Sequence, residues 1–248
     1  ISGSFDLLKG VLKSYTFKNS KQSPISNFPI PYFWRAPTDN DFGNIMPKIL
    51  SFWRKAHLNP IVKSVTVDEK SAAGLSVNVH YLLGDVQVPY HVSYLVQNDG
   101  SIKITASIDK KSKNLPEMPR FGMRLELPMA YEKLSYYGRG PSENYSDRNT
   151  ASLLGVYNST VAEQFTWEYI RPQECGYKTD ARWIKLQDKN GSGLLITGNQ
   201  PLGFSALNVS TEDIDPGIKI AQRHINDVHP SETVFLHIDY GQSGVGGD

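Results

Sequence analysis

The run YYGRGPSENYSDR, residues 136–148, concentrates residue types that could do chemistry. Its carboxylate, Glu143, stands between Arg139 and Arg148 and could serve as a general acid or a nucleophile. Retaining glycosidases need two carboxyl groups about 5–5.5 Å apart, and the second candidate here is Glu174 in RPQECGY. Both glutamates lie beside arginines in sequence, and an adjacent arginine favours the ionised carboxylate. We therefore expect a salt-bridged loop rather than a catalytic acid.

The stretch PYFWRAPTDNDFG, residues 31–43, offers three oxygen-bearing side chains to a hard cation: Asp39, Asn40 and Asp41. The later bidentate glutamate of an EF-hand loop is missing from this spacing. Asp and Asn side chains also bond to nearby backbone N–H groups, where they fix a loop or cap a helix. We favour this structural role over a metal site.

The histidines and the single cysteine form no metal-binding pattern. His80 and His237 fall on the polar faces of predicted strands, and His224 and His229 lie five residues apart. Cys175 alone allows neither an internal disulfide nor a cysteine zinc site, and we expect a buried, inert thiol. Glycine-rich phosphate loops and nucleophile elbows are also absent from the sequence. No cofactor is predicted for this chain.

The aromatic residues leave two interpretations open. Trp34, Trp53, Trp167 and Trp183 accompany 13 tyrosines, and sugar rings stack on such side chains. Large aromatics also fill the cores of β-sandwiches, and we favour the core in each case. Trp183, which is followed by Ile184 in ARWIKLQ, is expected to pack internally.

The composition excludes several classes of protein. The chain has 248 residues, a formal net charge of +1 and 21% charged residues. No basic excess indicates binding to nucleic acid or to a membrane surface, and no apolar run reaches the roughly 18 residues of a membrane span. Because the sequence lacks an initiator Met and a signal segment, and closes on the glycine-rich QSGVGGD, we expect a fragment of a longer protein.

Alternation of apolar and polar residues with period two predicts the elements that position these motifs. Short runs of this kind occur at 61–67, 90–97, 120–127, 134–138, 152–157, 182–188, 193–198 and 203–209, in addition to three longer strands. The predicted inward positions of three strands are Leu75, Val77, Val79 and Tyr81; Ile102, Ile104, Ala106 and Ile108; and Val234, Leu236, Ile238 and Tyr240.

Only NIMPKILSFWRKAH, residues 44–57, has helical spacing, with Pro47 suited to a first turn. Many strands with one or two short helices predict an all-β fold, a large antiparallel sandwich. No linker or repeat divides the sequence, so we predict a single domain over residues 1–248.

Four motifs together resemble one family. FWRAPTDNDFG, YYGRGPSENYSDR, YIRPQECGYKTDARWIKL and DYGQSGVGGD occur in this order in the C-terminal small-chain domain of β-galactosidases of glycoside hydrolase family 2. The resemblance covers nearly the whole chain, from about residue 33 to residue 248. Two positions depart from the family pattern: Cys175 stands where Asn is frequent, and Ser146 where Pro is common.

The resemblance implies a two-layer antiparallel supersandwich, similar to galactose mutarotases. It also implies that the acid/base and nucleophile glutamates lie on a TIM-barrel domain outside this chain, so that this chain alone is not catalytic. Gly246, Gly247 and Asp248 would form the base of a loop that leads to a substrate-packing tryptophan beyond residue 248. The implied structural residues are Arg35, Asp39, Asn40, Asp41, Arg139, Glu143, Asn144, Arg148, Glu174 and Arg182.

For the parent enzyme, the resemblance implies retaining hydrolysis of terminal β-D-galactosides, a homo-oligomer, and use of Mg or Na. The implied partners of this chain are the barrel and the other domains of the parent. The compartment is left open between the cytoplasm and the periplasm of a bacterium. Two alternatives also stay open: a stand-alone carbohydrate-binding module and a mutarotase-type sugar epimerase.

Overall fold

The computed structural model describes residues 2–16, 23–69, 73–84, 87–109, 114–220 and 223–246. These residues form several antiparallel sheets and four short α-helices, which confirms the predicted all-β class. In chain order, the strands are β1 Ser2–Asp6, β2 Val11–Thr16, β3 Asn27–Tyr32, β4 Ile61–Asp68, β5 Gly74–Leu83, β6 Val88–Gln97, β7 Ile102–Ile108, β8 Arg120–Pro128, β9 Lys133–Gly140, β10 Leu153–Thr160, β11 Lys178–Gln187, β12 Gly193–Leu207 and β13 Thr233–Gln242.

The strands belong to two compact units. The first unit comprises Ile1–Ser23 and Lys55–Glu117, and the second comprises Pro24–Arg54 and Met118–Asp248. The single domain predicted over residues 1–248 stays a prediction.

In the first unit, β1 pairs with β2, and β4 to β7 form a four-stranded meander. Alternation places Val79 and Tyr81 of β5 in the core with Val92 and Tyr90 of β6, all of them buried. Leu75 was predicted to point inward but is 39% exposed, because it lies at the strand end beyond the buried stretch.

The second unit contains a seven-stranded sheet in the order β10-β9-β11-β12-β13-β8-β3. One face of the sheet carries a core that includes Leu134, Tyr136, Ile184 and Leu236. Tyr240 is 67% exposed, contrary to the inward position predicted for it, because the pairing of β13 with β8 shifts between Asp239 and Gly241.

A row of three residues crosses the middle of this sheet. Gly203 of β12 lies opposite Asp239 of β13, which in turn lies opposite Gly122 of β8. A Cβ atom on Gly122 would come within 1.8 Å of Asp239 Oδ1, and one on Gly203 would come within 1.8 Å of the Tyr177 hydroxyl. The two glycines therefore make room for a polar cluster inside the unit.

The helices are short: α1 Asp39–Gly43, α2 Met46–Ile49, α3 Ser51–Arg54 and α4 Thr211–Ile214. The stretch with helical spacing, 44–57, forms two short helices, α2 and α3. Ile45 adopts a left-handed conformation with φ 59°, so that α2 begins only at Met46, with Pro47 in its first turn as predicted. The Ser51 hydroxyl bonds to the Lys48 carbonyl at 2.8 Å where α2 ends.

Within the described residues, none of the helices has the length and apolar character needed to cross a membrane.

Candidate functional site

The motif at 33–43 is organised around one buried ion pair. Arg35 donates to both carboxylate oxygens of Asp41, at 2.5 and 2.8 Å, and both side chains are 2% exposed. Asp41 also accepts from the backbone N–H of Thr38 at 2.7 Å, while the Thr38 hydroxyl caps α1. The Asp41 carboxylate is thereby committed to protein donors.

The same motif holds a stretch near the end of the chain, Gln242–Gly246, which we call the C-terminal segment. Arg35 Nε donates to the Ser243 hydroxyl at 3.1 Å, and Arg35 Nη2 to the Gly244 carbonyl at 2.6 Å. The Asn40 amide donates to the Val245 carbonyl at 3.0 Å. Two residues that were predicted to be structural thus fix the course of this segment.

Glu143 accepts hydrogen bonds from four donors. Arg148 lies 2.5 Å from Oε1, which also accepts from the Tyr169 hydroxyl. The Thr166 hydroxyl and the Gly176 N–H donate to Oε2 at 3.0 and 2.7 Å. Burial opposes ionisation, but these donors outweigh it and hold the pKa of Glu143 below its usual value.

The other arginine of the 136–148 run has a different partner. Arg139 bonds to Asp180 at 2.5 Å, so only Arg148 pairs with Glu143. The sequence had suggested that both arginines flank this carboxylate. Arg182 donates to the Asp180 carbonyl at 2.5 Å and stacks over the Tyr137 ring at 5.5 Å.

Asn144 is fully buried. It joins the 136–148 run, which we call the corner, to the start of β11. Its Nδ2 donates to the carbonyls of Arg139 and Ser142, at 3.1 and 3.0 Å. Its Oδ1 accepts from the Thr179 N–H and hydroxyl at 2.9 and 2.6 Å. The amide therefore locks the turn to the neighbouring strand.

Glu174 belongs to a different buried cluster, centred on Arg120. Arg120 lies 3.4 Å from Glu174 Oε1 and 3.2 Å from Asp239 Oδ2, and all three side chains are at most 4% exposed. Gln242 links to both sides of the cluster, since it accepts from Arg120 Nε at 2.8 Å and donates to Glu174 at 3.2 Å. The arginine beside Glu174 in sequence, Arg171, pairs instead with exposed Asp39 at 3.0 Å.

Two carboxylates share the single charge of Arg120, and both titrate abnormally. Burial raises the pKa of Glu174, although Arg120 opposes the shift. Burial, with help from Glu174, raises the pKa of Asp239 to about 7 against the opposing effect of Arg120. These are the signs expected of carboxyl groups removed from water.

Neither glutamate is arranged as a catalytic acid would be. Glu143 is held ionised by its donors, while Glu174 is 5% exposed and enclosed by Arg120, Gln242 and the Ala36 N–H. A general acid or nucleophile must reach the substrate. The arrangement instead ties loops and strands together.

The oxygen donors at 39–41 do not fit a cation. Both carboxylate oxygens of Asp41 accept hydrogen bonds from Arg35, and one of them also accepts from Thr38. The Asn40 amide nitrogen donates to Val245, and Asp39 pairs with Arg171. Across the described residues, no three His, Cys, Asp or Glu side chains are grouped so that they could hold a metal ion.

The predictions for the tryptophans and for His237 were confirmed only in part. Trp34 and Trp53 are buried, as favoured, whereas Trp167 is 40% exposed and Trp183 is half-buried. His237 lies on the polar face of its strand, as predicted, but this face is buried there: His237 is 3% exposed and lies 3.0 Å from Arg120 through Nδ1. The alternation pattern missed this because His237 faces a buried polar cluster.

Cys175 is buried, and burial raises the pKa of its thiol. Of the loop residues predicted to lie near a substrate, Gly246 is exposed, and its N–H donates to Asp147 at 2.6 Å. Gly247 and Asp248 lie outside the described residues.

Sequence reasoning did not single out Arg120, Asp147, Asp239 or Gln242. Arg120 lies on β8, and no local motif links it to Asp239 and Gln242, which belong to the motif DYGQSGVGGD on the paired strand β13. A charged residue at the start of a predicted strand, such as Arg120, is the signal that could have drawn attention to the cluster.

The antiparallel sheets and the mutually paired buried charges define a β-rich structural domain. The chain belongs to the beta galactosidase small chain family, whose model matches residues 1–248.

Curated relatives carry the printed name Beta-galactosidase. The protein of Priestia megaterium is 38% identical over 244 residues, which cover 98% of this chain and 23% of that protein. The proteins of Halalkalibacterium halodurans and Streptococcus thermophilus are 31% and 34% identical, over 89% and 87% of this chain and 21% and 20% of their own lengths. The chain thus spans about a fifth to a quarter of the length of these relatives.

Proposed function

We propose that this chain is the C-terminal accessory domain of a β-galactosidase of glycoside hydrolase family 2. The parent would hydrolyse terminal β-D-galactosides with retention, using two glutamates outside this chain. The chain would complete one wall of the active site and support the catalytic barrel. Family membership and the small share of the relatives' length support this proposal.

One observation carries the proposed role: two of the motifs named in the resemblance contact the C-terminal segment. Arg35 and Asn40 bind its carbonyls from one motif, and the corner at 136–148 reaches it through Asp147. An irregular segment needs such partners for its backbone groups if it is to hold one course. We propose that Gly246 and the adjoining Gly247 and Asp248 lead this segment to the substrate.

The remaining motif residues are proposed to be structural. Glu143, Arg148 and Asn144 lock the corner, Arg139 and Arg182 bind at Asp180, and Glu174 closes the buried cluster. Their hydrogen bonds leave no carboxylate free for substrate. Any Mg or Na of the parent, and its homo-oligomeric contacts, are proposed to involve residues beyond the set described here.

Activity measurements on the isolated chain test the proposal. Residues 1–248 are expected to hydrolyse no aryl β-galactoside, even when far-ultraviolet circular dichroism shows a folded β protein. Addition of the separately produced remainder of the parent should restore turnover, more strongly when this chain is extended by its natural continuation. Hydrolysis by residues 1–248 alone would overturn the accessory role and return Glu143 and Glu174 to consideration as catalysts.

A carbohydrate-binding module is the alternative that one observation favours. Trp167 is 40% exposed and packs against Phe165 with ring centroids 4.5 Å apart and the ring planes tilted by 55°, which leaves part of its ring open to a sugar face. Saturable quenching of tryptophan fluorescence by galactose in the isolated chain, abolished by Trp167→Ala, would support this alternative. Catalysed interconversion of galactose anomers would instead indicate the epimerase, although buried His237 is poorly placed to act as its acid.

A further inference from the structure

We propose that Asp147 is a positioning residue, which fixes the course of the C-terminal segment by accepting two consecutive backbone N–H groups. The catalytic consequence of this role rests on the proposed function, in which the segment leads to the active-site wall. The anchoring itself rests on the geometry of the segment alone.

The contacts of Asp147 converge on one oxygen. Oδ2 accepts from the N–H groups of Val245 at 2.9 Å and of Gly246 at 2.6 Å. Hydrogen bonds to an ionised acceptor are roughly twice as strong as neutral ones. A single carboxylate therefore orients two successive peptide planes.

Glycine makes this approach possible. A Cβ atom on Gly244 would come within 2.4 Å of the Asp147 carboxyl carbon, and one on Gly246 would come within 2.8 Å of Oδ2. Any side chain at either position would push the carboxylate away. Glycines also leave the unbound segment more conformational freedom than other residues would, so an external anchor has more to restrict.

The other edge of the segment is held separately. Arg35 and Asn40 bind the carbonyls of Gly244 and Val245, while the Val245 side chain is buried with Tyr145. Asp147 Oδ2 accepts from the N–H groups of Val245 and Gly246, whereas Arg35 and Asn40 donate to carbonyl and hydroxyl oxygens of the segment. Loss of Asp147 should therefore release the end of the segment, at Gly246, while its beginning remains held.

Asp147 is exposed in this chain, and its removal should cost little global stability. The effect should appear instead in the local protection of the segment and, through misplacement of the residues that follow, in catalysis. A displacement of about 1 Å near reacting groups can lower activity by roughly a hundredfold. This separation between local and global effects distinguishes a positioning role from a general structural one.

The test uses the full-length protein that carries this chain, with Asp147→Asn, Asp147→Ala and the control Glu168→Gln, which neutralises another exposed carboxylate of the same unit. Hydrogen exchange is followed in peptides that cover 243–248, and kcat and KM are measured with an aryl β-galactoside. Exchange should quicken in the order wild type, Asn variant, Ala variant, because Asn keeps an uncharged acceptor. Activity should fall by up to about a hundredfold in the same order, with the Tm unchanged.

Gly244→Ala supplies an independent route to the same displacement, because its added Cβ would collide with the Asp147 carboxyl group. In the wild-type background it should reproduce the loss of protection, and in the Asp147→Ala background, where only the Cβ of residue 147 remains, 2.8 Å from the added atom, it should add less than it does in the wild type. Additive effects in this cycle, or unchanged exchange in Asp147→Ala, would overturn the inference. Faster exchange with unchanged kinetics would support the anchor and overturn the proposed active-site role of the segment.

Discussion

At the level of single residues, the partner of each arginine decides what the neighbouring carboxylate can do. Glu143 is bound by Arg148 and three further donors, while Arg139 has turned to Asp180. Since each oxygen of Glu143 already accepts two hydrogen bonds, the carboxylate has little capacity left for a substrate. Its value to the protein lies in joining the corner to the 166–176 loop.

Glu143→Ala should destabilise the protein by about 1–3 kcal/mol, because it leaves the partly buried Gly176 N–H and its neighbours without an acceptor. Turnover per folded molecule of the parent should stay close to wild type. Urea unfolding and steady-state kinetics on the same preparations check both expectations. A normal unfolding curve with a loss of turnover of about a thousandfold or more would indicate a catalytic group instead.

The exposed pair Asp39–Arg171 provides the matched control. Both side chains are largely open to water, at 68% and 44% exposure, although their separation of 3.0 Å is also that of an ion pair. Asp39→Asn should change the free energy of unfolding by at most about 1 kcal/mol. An effect as large as that of Glu143→Ala would show that burial does not explain the difference between the two pairs.

Asp239 should make the stability of the second unit depend on pH. Its pKa rises from 3.8 to about 7, chiefly through burial, so the folded protein binds this proton more tightly than the unfolded chain does. The contribution to stability is therefore full below about pH 4 and is lost as the pH rises to about 7. Asp239→Asn removes this titration.

Urea unfolding at a series of pH values measures the effect. The free energy of unfolding of wild type minus that of Asp239→Asn should fall as the pH rises through this window. A difference that stays constant, or that grows with pH, would show that Asp239 is not held protonated by the fold.

The residue contacts were only partly predictable from sequence. The capping role of Asp41 followed from local spacing, because a cap and its helix are neighbours in the chain. The cluster of Arg120 with Glu174 and Asp239 did not, since its members lie far apart in sequence and meet through strand pairing and a loop. Closeness in sequence suggested Glu143 as a partner for Arg139, whereas Arg139 pairs with Asp180.

At the level of elements, strand positions were predicted well because alternation reports burial directly. Failures occurred where burial stops following alternation: Leu75 at a strand end, Tyr240 beyond a register shift, and His237 against a polar interior. The spacing at 44–57 indicated helix correctly, but it does not reveal the left-handed Ile45, which delays the start of α2 to Met46. The spacing of apolar residues identifies the buried face of a strand or helix, whereas tertiary contacts determine where along the chain that face ends.

The glycine row of the seven-stranded sheet gives a prediction at this scale. Gly203→Ala would place a Cβ 1.8 Å from the buried Tyr177 hydroxyl, and such overpacking typically costs about 1–3 kcal/mol. Gly241→Ala, with no atom within 4 Å of its added Cβ, is the matched control and should be tolerated. Thermal unfolding of both variants makes the comparison, and equal Tm values would contradict the close approach at Gly203.

At the level of the whole molecule, the chain corresponds to a small part of the length of its relatives. It covers 23% of the Priestia megaterium protein, and several buried charges of its second unit are paired with one another. These paired charges tie loops and strands of that unit together. They also predict that its partners bind a surface which is already ordered.

Mixing the isolated chain with the separately produced remainder of the parent should therefore raise the Tm of the chain. A partner that binds only the folded state stabilises it by about 2.7 kcal/mol at a hundredfold excess over Kd. Calorimetry at increasing partner concentration measures the shift, with an unrelated protein of similar size as the control. A Tm that does not respond would argue against direct association between the two parts.

The burial of Cys175 has a practical consequence for such experiments. It is the one cysteine of the 248 residues, and its thiol is shielded from solvent while burial raises its pKa. A thiol reagent can modify it only when the surrounding structure opens, because the thiolate is the reactive form. The rate of labelling therefore reports the frequency of that opening, and the chain contains its own probe for how tightly a bound partner closes it.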